Sequence, residues 1–460
     1  MAKKKQIELT IEEKLQNALV PKEEQPYKIP SNWCWSYWKY IAEIFSAKRI
    51  HKSDWKEEGI PFYRAREIVK LSQDGYVNNE IFISNEKYLE IKRISRLPKA
   101  GDLMVSGVGT IGASYVVNKN DKFYYKDASV LCVSGYNKIN AKYLNFYLKS
   151  PYMINEMKKG SKGTTVDTLT INKFNNYLIV LPPINEQQRI VNIIESLFTK
   201  LDRAKELIEN TLAQFEQNKM AILHKAFIGE LTAKWRKENN IDLSSWQEKT
   251  IDELCTSLKY GTSKKSKPEG SVVVLRMGNL QNGEIDWSNL MYTDDKDDIE
   301  KYLLKKGDVL FNRTNSPELV GKTSIYRGEY PAIYAGYLIK LDYGKDIIGE
   351  YLNYMMNSTK AKHYCYTVKT DGVSQSNINA KKIGAFEIPV PTIEEQQEIV
   401  NILDNLLAKY NKIKNLEQQL EKIELLKKAI LAKAFRGELG TNNPDEESAE
   451  NLLKEILAEK

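Results

Sequence analysis

A chain of 460 residues is long enough for two to four domains at roughly 100–200 residues each. With 42% hydrophobic and 28% charged residues it belongs among globular proteins, which excludes a disordered or collagen-like chain. A net charge of +7 permits a polyanionic partner without demanding one, while Cys34, Cys132, Cys255 and Cys365 form no CxxC pair and His51, His224 and His363 lie far apart, which removes zinc ribbons and most histidine-based chemistry.

In chain order, residues 1–27 are expected to form a helical extension, whose start (Met1-Ala-Lys-Lys-Lys-Gln) has no apolar stretch behind it and so does not read as a secretion signal. Apolar runs stay near about five residues, too short to cross a bilayer, and the expected location is the cytoplasm. Residues 28–183 read as a first α/β domain, with strands at Ile81–Ile83, Asp102–Val105 and Ser129–Val133 and a helix over Ala141–Lys158. A Lys/Gly/Ser/Thr-rich loop, Lys158 to Thr165, precedes its last strand. Residues 184–240 begin with an Asn cap in Pro183-Ile184-Asn185, ahead of Glu186. Apolar positions then recur at Ile190, Ile194, Leu197, Leu201, Ala204, Ile208, Phe215 and Ile222 in steps of four and three, a narrow heptad seam with Thr211 and Asn218 as polar register-setting positions.

Residues 241–391 repeat the α/β pattern, with a strand at Ser271–Leu275, a helix over Ile348–Lys362 and a second Gly/Ser-rich loop from Lys369 to Ser376. Residues 392–439 open on a Thr392-x-x-Glu395 capping box and carry a second seam: Ile399, Leu403, Leu406, Tyr410, Ile413, Leu416, Leu420, Ile423 and Ile430. Each helix should run about 40 residues, or roughly 60 Å. A helix that long with so narrow a seam requires a partner seam, so the two are expected to pair antiparallel. Residues 440–460 form an acidic tail. The fold class is α/β (α+β): two globular domains in pseudo-twofold repeat, joined by two long antiparallel coiled-coil helices.

The chain repeats itself. LPPINEQQRIV at 181–191 returns as VPTIEEQQEIV at 390–400, an offset of 209, and HKAFIGEL at 224–231 returns as AKAFRGEL at 432–439, an offset of 208. Gly101-Asp102-Leu103 echoes Gly307-Asp308-Val309, and Arg64 and Arg276 each close a β-like run. Likeness is high in the helices and low in the domains, so the shared parts should meet a common partner and the variable parts two different targets. The basic charge is uneven: residues 28–180 hold 24 Lys+Arg against 14 Asp+Glu, residues 246–389 hold 20 against 19. Side chains suited to phosphates and base edges are Arg64, Lys158, Lys159, Lys162 and Thr164 in the first domain. In the second they are Arg276, Arg313, Lys369, Ser374 and Gln375.

Catalytic motifs are missing. Gly107-Val108-Gly109-Thr110-Ile111-Gly112 fits GxGxxG, but strand-like Ala113–Val117 follows where a dinucleotide fold needs a helix. Gly321-Lys322-Thr323 lacks the upstream glycine of a phosphate loop, and no Asn-Pro-Pro-Tyr or Asp-Pro-Pro-Tyr motif is present. No metal site is expected.

The duplicated LPPINEQQRIV/VPTIEEQQEIV, each opening a long helix closed by KAFIGEL or KAFRGEL, resembles the specificity subunit of type I restriction–modification enzymes. Ala18–Tyr27 with Pro30-Ser31-Asn32-Trp33, echoed by Ser244-Ser245-Trp246, is similar to that family's lead-in to a target recognition domain. The resemblance implies a non-catalytic subunit of a DNA methyltransferase/endonuclease complex. Each recognition domain would read one half of a bipartite duplex site. The helices would set the spacing and dock two modification (methyltransferase) subunits, with restriction subunits joining through the complex. S-adenosylmethionine, ATP and Mg would sit on the partners, with no cofactor on this chain. The alternatives are a structural coiled-coil adaptor and a stand-alone nuclease-like enzyme.

Overall fold

Residues 9–136, 138–161, 168–408 and 414–459 are described by a computed structural model. They divide into two compact units, Met1–Leu207 with Gln418–Lys460, and Ile208–Glu417, so each long helix is shared between the two. The first long helix runs Ile184–Phe227, and the second is described over Ile393–Ala408 and Lys414–Ala434.

The first unit is built on an antiparallel sheet in the order Ala42–Ser46, Val130–Gly135, Leu103–Ser106, Ser114–Val116. A second small sheet (Trp55–Lys56, Phe82–Ile83, Ile60–Tyr63, Tyr124–Tyr125) packs its aromatics in a separate cluster around Phe62, Tyr124 and Tyr125. The second unit repeats the main sheet in the same order: Cys255–Tyr260, Leu338–Tyr343, Val309–Asn312, Thr323–Ile325. The Gly-Asp echo has a local cause here. Asp102 and Asp308 each accept the main-chain N–H three residues back (Lys99 at 3.0 Å, Lys305 at 2.9 Å), which closes the turn into the central strand.

The helix expected over Ala141–Lys158 is two, Ala141–Leu148 and Pro151–Ser161. Pro151 has no N–H to donate, and the Ser150 hydroxyl instead accepts from Met153 N at 3.2 Å to start a new helix. The counterpart over Ile348–Lys362 divides at the same place, into Gly349–Met356 and Thr359–Val368. There the Ser358 hydroxyl accepts from Ala361 N at 3.3 Å, so the cap does this without a proline.

In the first unit Ile190 and Ile194 are buried in one core with Leu431, Ala434 and Phe435. Lys205 pairs with Glu424 at 3.4 Å and Asp202 with Lys427 at 2.5 Å, an order that makes the helices antiparallel. In the second unit Leu223, Ala226 and Phe227 share a core with Ile399, Val400 and Leu403. Ile423 is buried, and Leu197, Leu201, Ile208, Phe215, Ile222, Leu406 and Leu420 are half-buried; Ile413 lies outside the described residues. Thr211 and Asn218 are exposed, contrary to the seam reading, and Asn218 accepts from Gln214 on its own helix. An α-helix turns every 3.6 residues, so a strict four-three pattern slips; from Ile208 to Leu223 the covered positions are Leu212, Phe215, Lys219, Met220, Ile222 and Leu223.

The repeated Glu-Gln pair locks each helix to its domain. Glu186, fully buried, accepts from Trp33 Nε1 (2.8 Å), Asn442 Nδ2 (2.9 Å) and Thr441 Oγ1 (3.0 Å). Glu395 accepts from Thr232 Oγ1 (2.7 Å), Arg236 Nη1 (2.6 Å) and Trp246 Nε1 (2.9 Å). Its carboxylate therefore does not turn back to close the expected capping box, although Thr392 Oγ1 does accept from Glu395 N at 3.3 Å. The other helix begins at Ile184, one residue before the expected Asn185 cap, so Asn185 lies in its first turn. Beside the glutamates, Gln187 accepts from Asn140 N (3.0 Å) and Gln396 from Ile348 N (2.8 Å), each holding the start of a domain helix.

The two locks also explain the tail. The segment after the first helix supplies Thr232 to Glu395. The corresponding segment after the second helix supplies Thr441 to Glu186. The tail then pairs Glu446 with Arg189 through two bonds (2.7 and 2.8 Å) and lays helix Ala449–Glu459 against Ile11–Ala18, which ties the two ends of the chain into one core. Each KAF-x-GEL closes its helix at a glycine in the left-handed region, Gly229 (φ +79°) and Gly437 (φ +76°), where a side chain would strain the turn.

Candidate nucleic-acid interface

In the second unit, a short hairpin and one strand segment far from it in sequence build a small platform. Thr314–Asn315 and Thr370–Asp371 both pair with Ser376–Asn377, and residues 372–375 form the exposed tip of the resulting hairpin. Ser374 and Gln375 stand on that tip. Lys369, at its root, is neutralised by Asp371 at 2.5 Å and leans on the Tyr366 ring.

Arg313 sits just before Thr314. Its guanidinium stacks on Tyr260, 4.8 Å from the ring centroid, and Nη2 donates to Asn377 Oδ1 at 3.1 Å. Tyr260 is itself held, since its hydroxyl accepts from Ala380 N at 2.9 Å. Arg276, closing strand Val272–Leu275, donates from Nη2 to Asn289 O at 2.7 Å. The two arginines hang on neighbouring strand ends, because Ala335 N donates to Leu275 O and Arg313 N to Tyr337 O.

The electrostatics of these two stand apart. Arg327, the third arginine between 246 and 389, pairs with Glu284 at 2.8 Å and Glu350 at 3.4 Å. Among the described residues no carboxylate lies within ion-pair reach of Arg276 or Arg313, and the Nε of each is buried without a hydrogen-bond partner.

The first unit is arranged differently. Arg64 closes strand Ile60–Tyr63, and its guanidinium is engaged by Glu67 through bonds of 2.7 and 3.1 Å. Burial acts to raise the Glu67 pKa, but the hydrogen bonds from Arg64 and Arg66 outweigh it and hold the carboxyl below the usual range. Lys158 and Lys159 end helix Pro151–Ser161, where Lys159 pairs with Glu156 at 2.8 Å. Lys162 and Thr164 lie outside the described residues. Strand Ser114–Val116 follows the GxGxxG run. Among the described residues no group of three or more His, Cys, Asp or Glu could hold a metal, and no helix is long and apolar enough to cross a membrane.

The family model of the type I restriction modification DNA specificity domain matches this chain twice, over residues 30–214 and 244–425. The chain belongs to that family. It is 29% identical over 334 residues to the type I restriction enzyme EcoKI specificity subunit of Escherichia coli (strain K12), covering 69% of this chain and 71% of the relative. It is 23% identical over 447 residues to the EcoBI specificity subunit of Escherichia coli, covering 91% and 90%. A chain from a solved structure of a type I R-M system shares the fold, with a TM-score of 0.67 at 20% identity, covering 90% of this chain and 100% of that one.

The platform of the second unit gathers residues of the kind that could meet base edges, and the sequence points to them only in part. Of the residues named from the sequence, Arg313, Ser374 and Gln375 lie on or beside this platform and Arg276 on a neighbouring strand end, whereas Tyr260 and Asn377, which hold Arg313 in place, carry no signal in their own neighbourhoods. Gly261 next to Tyr260 is a further requirement. A Cβ there would lie 2.1 Å from Tyr334 O, a backbone atom that cannot turn aside. Gly261→Ala should therefore displace Tyr260 and weaken specific DNA binding, by no more than loss of the Arg313 side chain would, while Gly278→Ala, whose Cβ would meet nothing within 4 Å, leaves binding intact; a gel-shift titration of both variants checks this.

Proposed function

We propose that each recognition domain reads one half of a bipartite duplex site, with the paired helices setting the separation. The 44-residue first helix is about 66 Å long, close to two turns of duplex at ~34 Å per turn. Phosphate contacts would supply affinity and salt dependence, and base-edge contacts the sequence choice. The helices carry two modification subunits, with restriction subunits joining through the complex. The chain performs no chemistry itself: S-adenosylmethionine, ATP and Mg belong to the partners, and the complex works in the cytoplasm. The observation that carries this reading is Arg313, stacked, tethered and without a counter-ion on an exposed hairpin platform.

The test is an exchange of residues 28–183 for those of another family member, with the methylated sites then mapped by single-molecule sequencing. One half-site should change while the other half-site and complex assembly persist. A change in both halves together would defeat the division of labour.

A further inference from the structure

Beside the Arg313 platform, a cavity of about 370 Å³ lies between the first long helix and the flank of the second domain. Lys219 and Met220 enter it from the helix, Lys322 from the loop after Thr314–Asn315, and Lys362 and Tyr366 from helix Thr359–Val368. Lys322 Nζ bonds the neutral Gln281 at 2.8 Å, and Lys362 Nζ lies 3.7 Å from the Met220 sulfur. Among the described residues none of the three lysines has a carboxylate within ion-pair reach, although Glu216 and Glu318 also line the cavity. Partial burial first, and then the nearby Lys219 and Lys322, hold Lys362 below the ordinary lysine value, against an opposing pull from Glu216. Three ammonium groups thus converge on one concavity whose lining includes two carboxylates, Glu216 and Glu318, neither of them in an ion pair with the lysines.

The duplicated first unit is an internal control. Strands Ser114–Val116 and Thr323–Ile325, and the helices begun by Ser150 and Ser358, correspond at offsets of 209 and 208. Lys322 and Lys362 therefore replace Ala113 and Ile154, so among the described residues these two lysines have no counterpart in the first unit, although the position of Lys219 is basic there too (Lys427 at an offset of 208). That unit's domain is also the one nearly without net charge (20 basic against 19 acidic side chains), so it cannot attract a polyanion by general excess as the first domain can.

We infer that Lys219, Lys322 and Lys362 form a phosphate site that grips the DNA backbone where the duplex leaves the second half-site. The site rests on the DNA-reading function proposed above and adds a sequence-independent contact to it. Loop 316–322 and Tyr366 belong to elements that also carry the reading platform, so a strand read there has its neighbouring phosphates within reach of the cavity.

The experiment measures duplex binding by the full chain through fluorescence anisotropy between about 50 and 200 mM salt. A variant with all three lysines changed to Gln should lose about 0.9 in the slope of log K against log salt per phosphate released, or about 1–2 in total, equally for every duplex sequence. The triple Lys→Arg variant should keep the wild-type slope. The Gln variant should melt no lower than wild type, since it relieves like-charge crowding. An unchanged slope with binding retained overturns the site. Saturable binding of ATP or inorganic pyrophosphate that the Gln variant loses while its DNA slope stays unchanged reassigns the site to a free phosphate compound, which also overturns it. A wild-type chain that holds no duplex defeats this inference and the proposed function together.

Discussion

Glu395→Ala should cost about 3–5 kcal/mol of stability. The Arg236 side chain is 9% exposed, and Glu395 at 2.6 Å is its counter-ion, so truncation leaves a buried guanidinium unpaired along with Trp246 Nε1 and Thr232. The duplicate supplies the comparison. Glu186 sits in the same lock, but its donors, Trp33, Thr441 and Asn442, are neutral, so Glu186→Ala should cost only about 1–3 kcal/mol. Urea denaturation followed by tryptophan fluorescence reports on both, because each lock contains a tryptophan. Glu395→Gln should fall near the alanine variant, since it keeps the shape while removing the charge that Arg236 needs. Equal losses at Glu186 and Glu395 would mean that burial of Arg236 contributes nothing.

Arg313→Ala should weaken specific DNA binding by about 1–3 kcal/mol, roughly 5- to 150-fold, and relax sequence choice in one half-site. The guanidinium lies over the Tyr260 ring and is tethered by Asn377 through Nη2, and with Nε buried it is the terminal N–H groups that are left to meet acceptors such as guanine O6 and N7. Arg313→Lys should recover little, because an ammonium keeps the charge without the planar fork. Tyr260→Ala should reproduce part of the loss and Tyr260→Phe much less, since stacking survives without the hydroxyl. Binding would be compared on the cognate duplex and on duplexes altered in either half. A loss equal for all sequences would make Arg313 a phosphate contact instead of a reader.

The duplication, the two long helices, strands near Asp102–Val105, Ser129–Val133 and Ser271–Leu275, and the family were all readable from the order of residues. All of these depend on residues close together in the chain or on motifs repeated at a fixed offset, so periodicity and comparison of the two halves were enough. Tertiary structure alone decided what the motifs do. Glu395 looked like a helix cap because a cap needs only its own three neighbours, whereas its lock draws on Arg236, 159 residues away. The serine-capped breaks at Ser150 and Ser358 and the outward turn of Thr211 and Asn218 come from cap geometry and a 3.6-residue pitch that a four-three pattern overrides on paper. Arg313 was legible as a basic residue. That it lies stacked, tethered and uncompensated follows from strands 64 residues apart meeting at one edge, a pairing that local spacing does not encode.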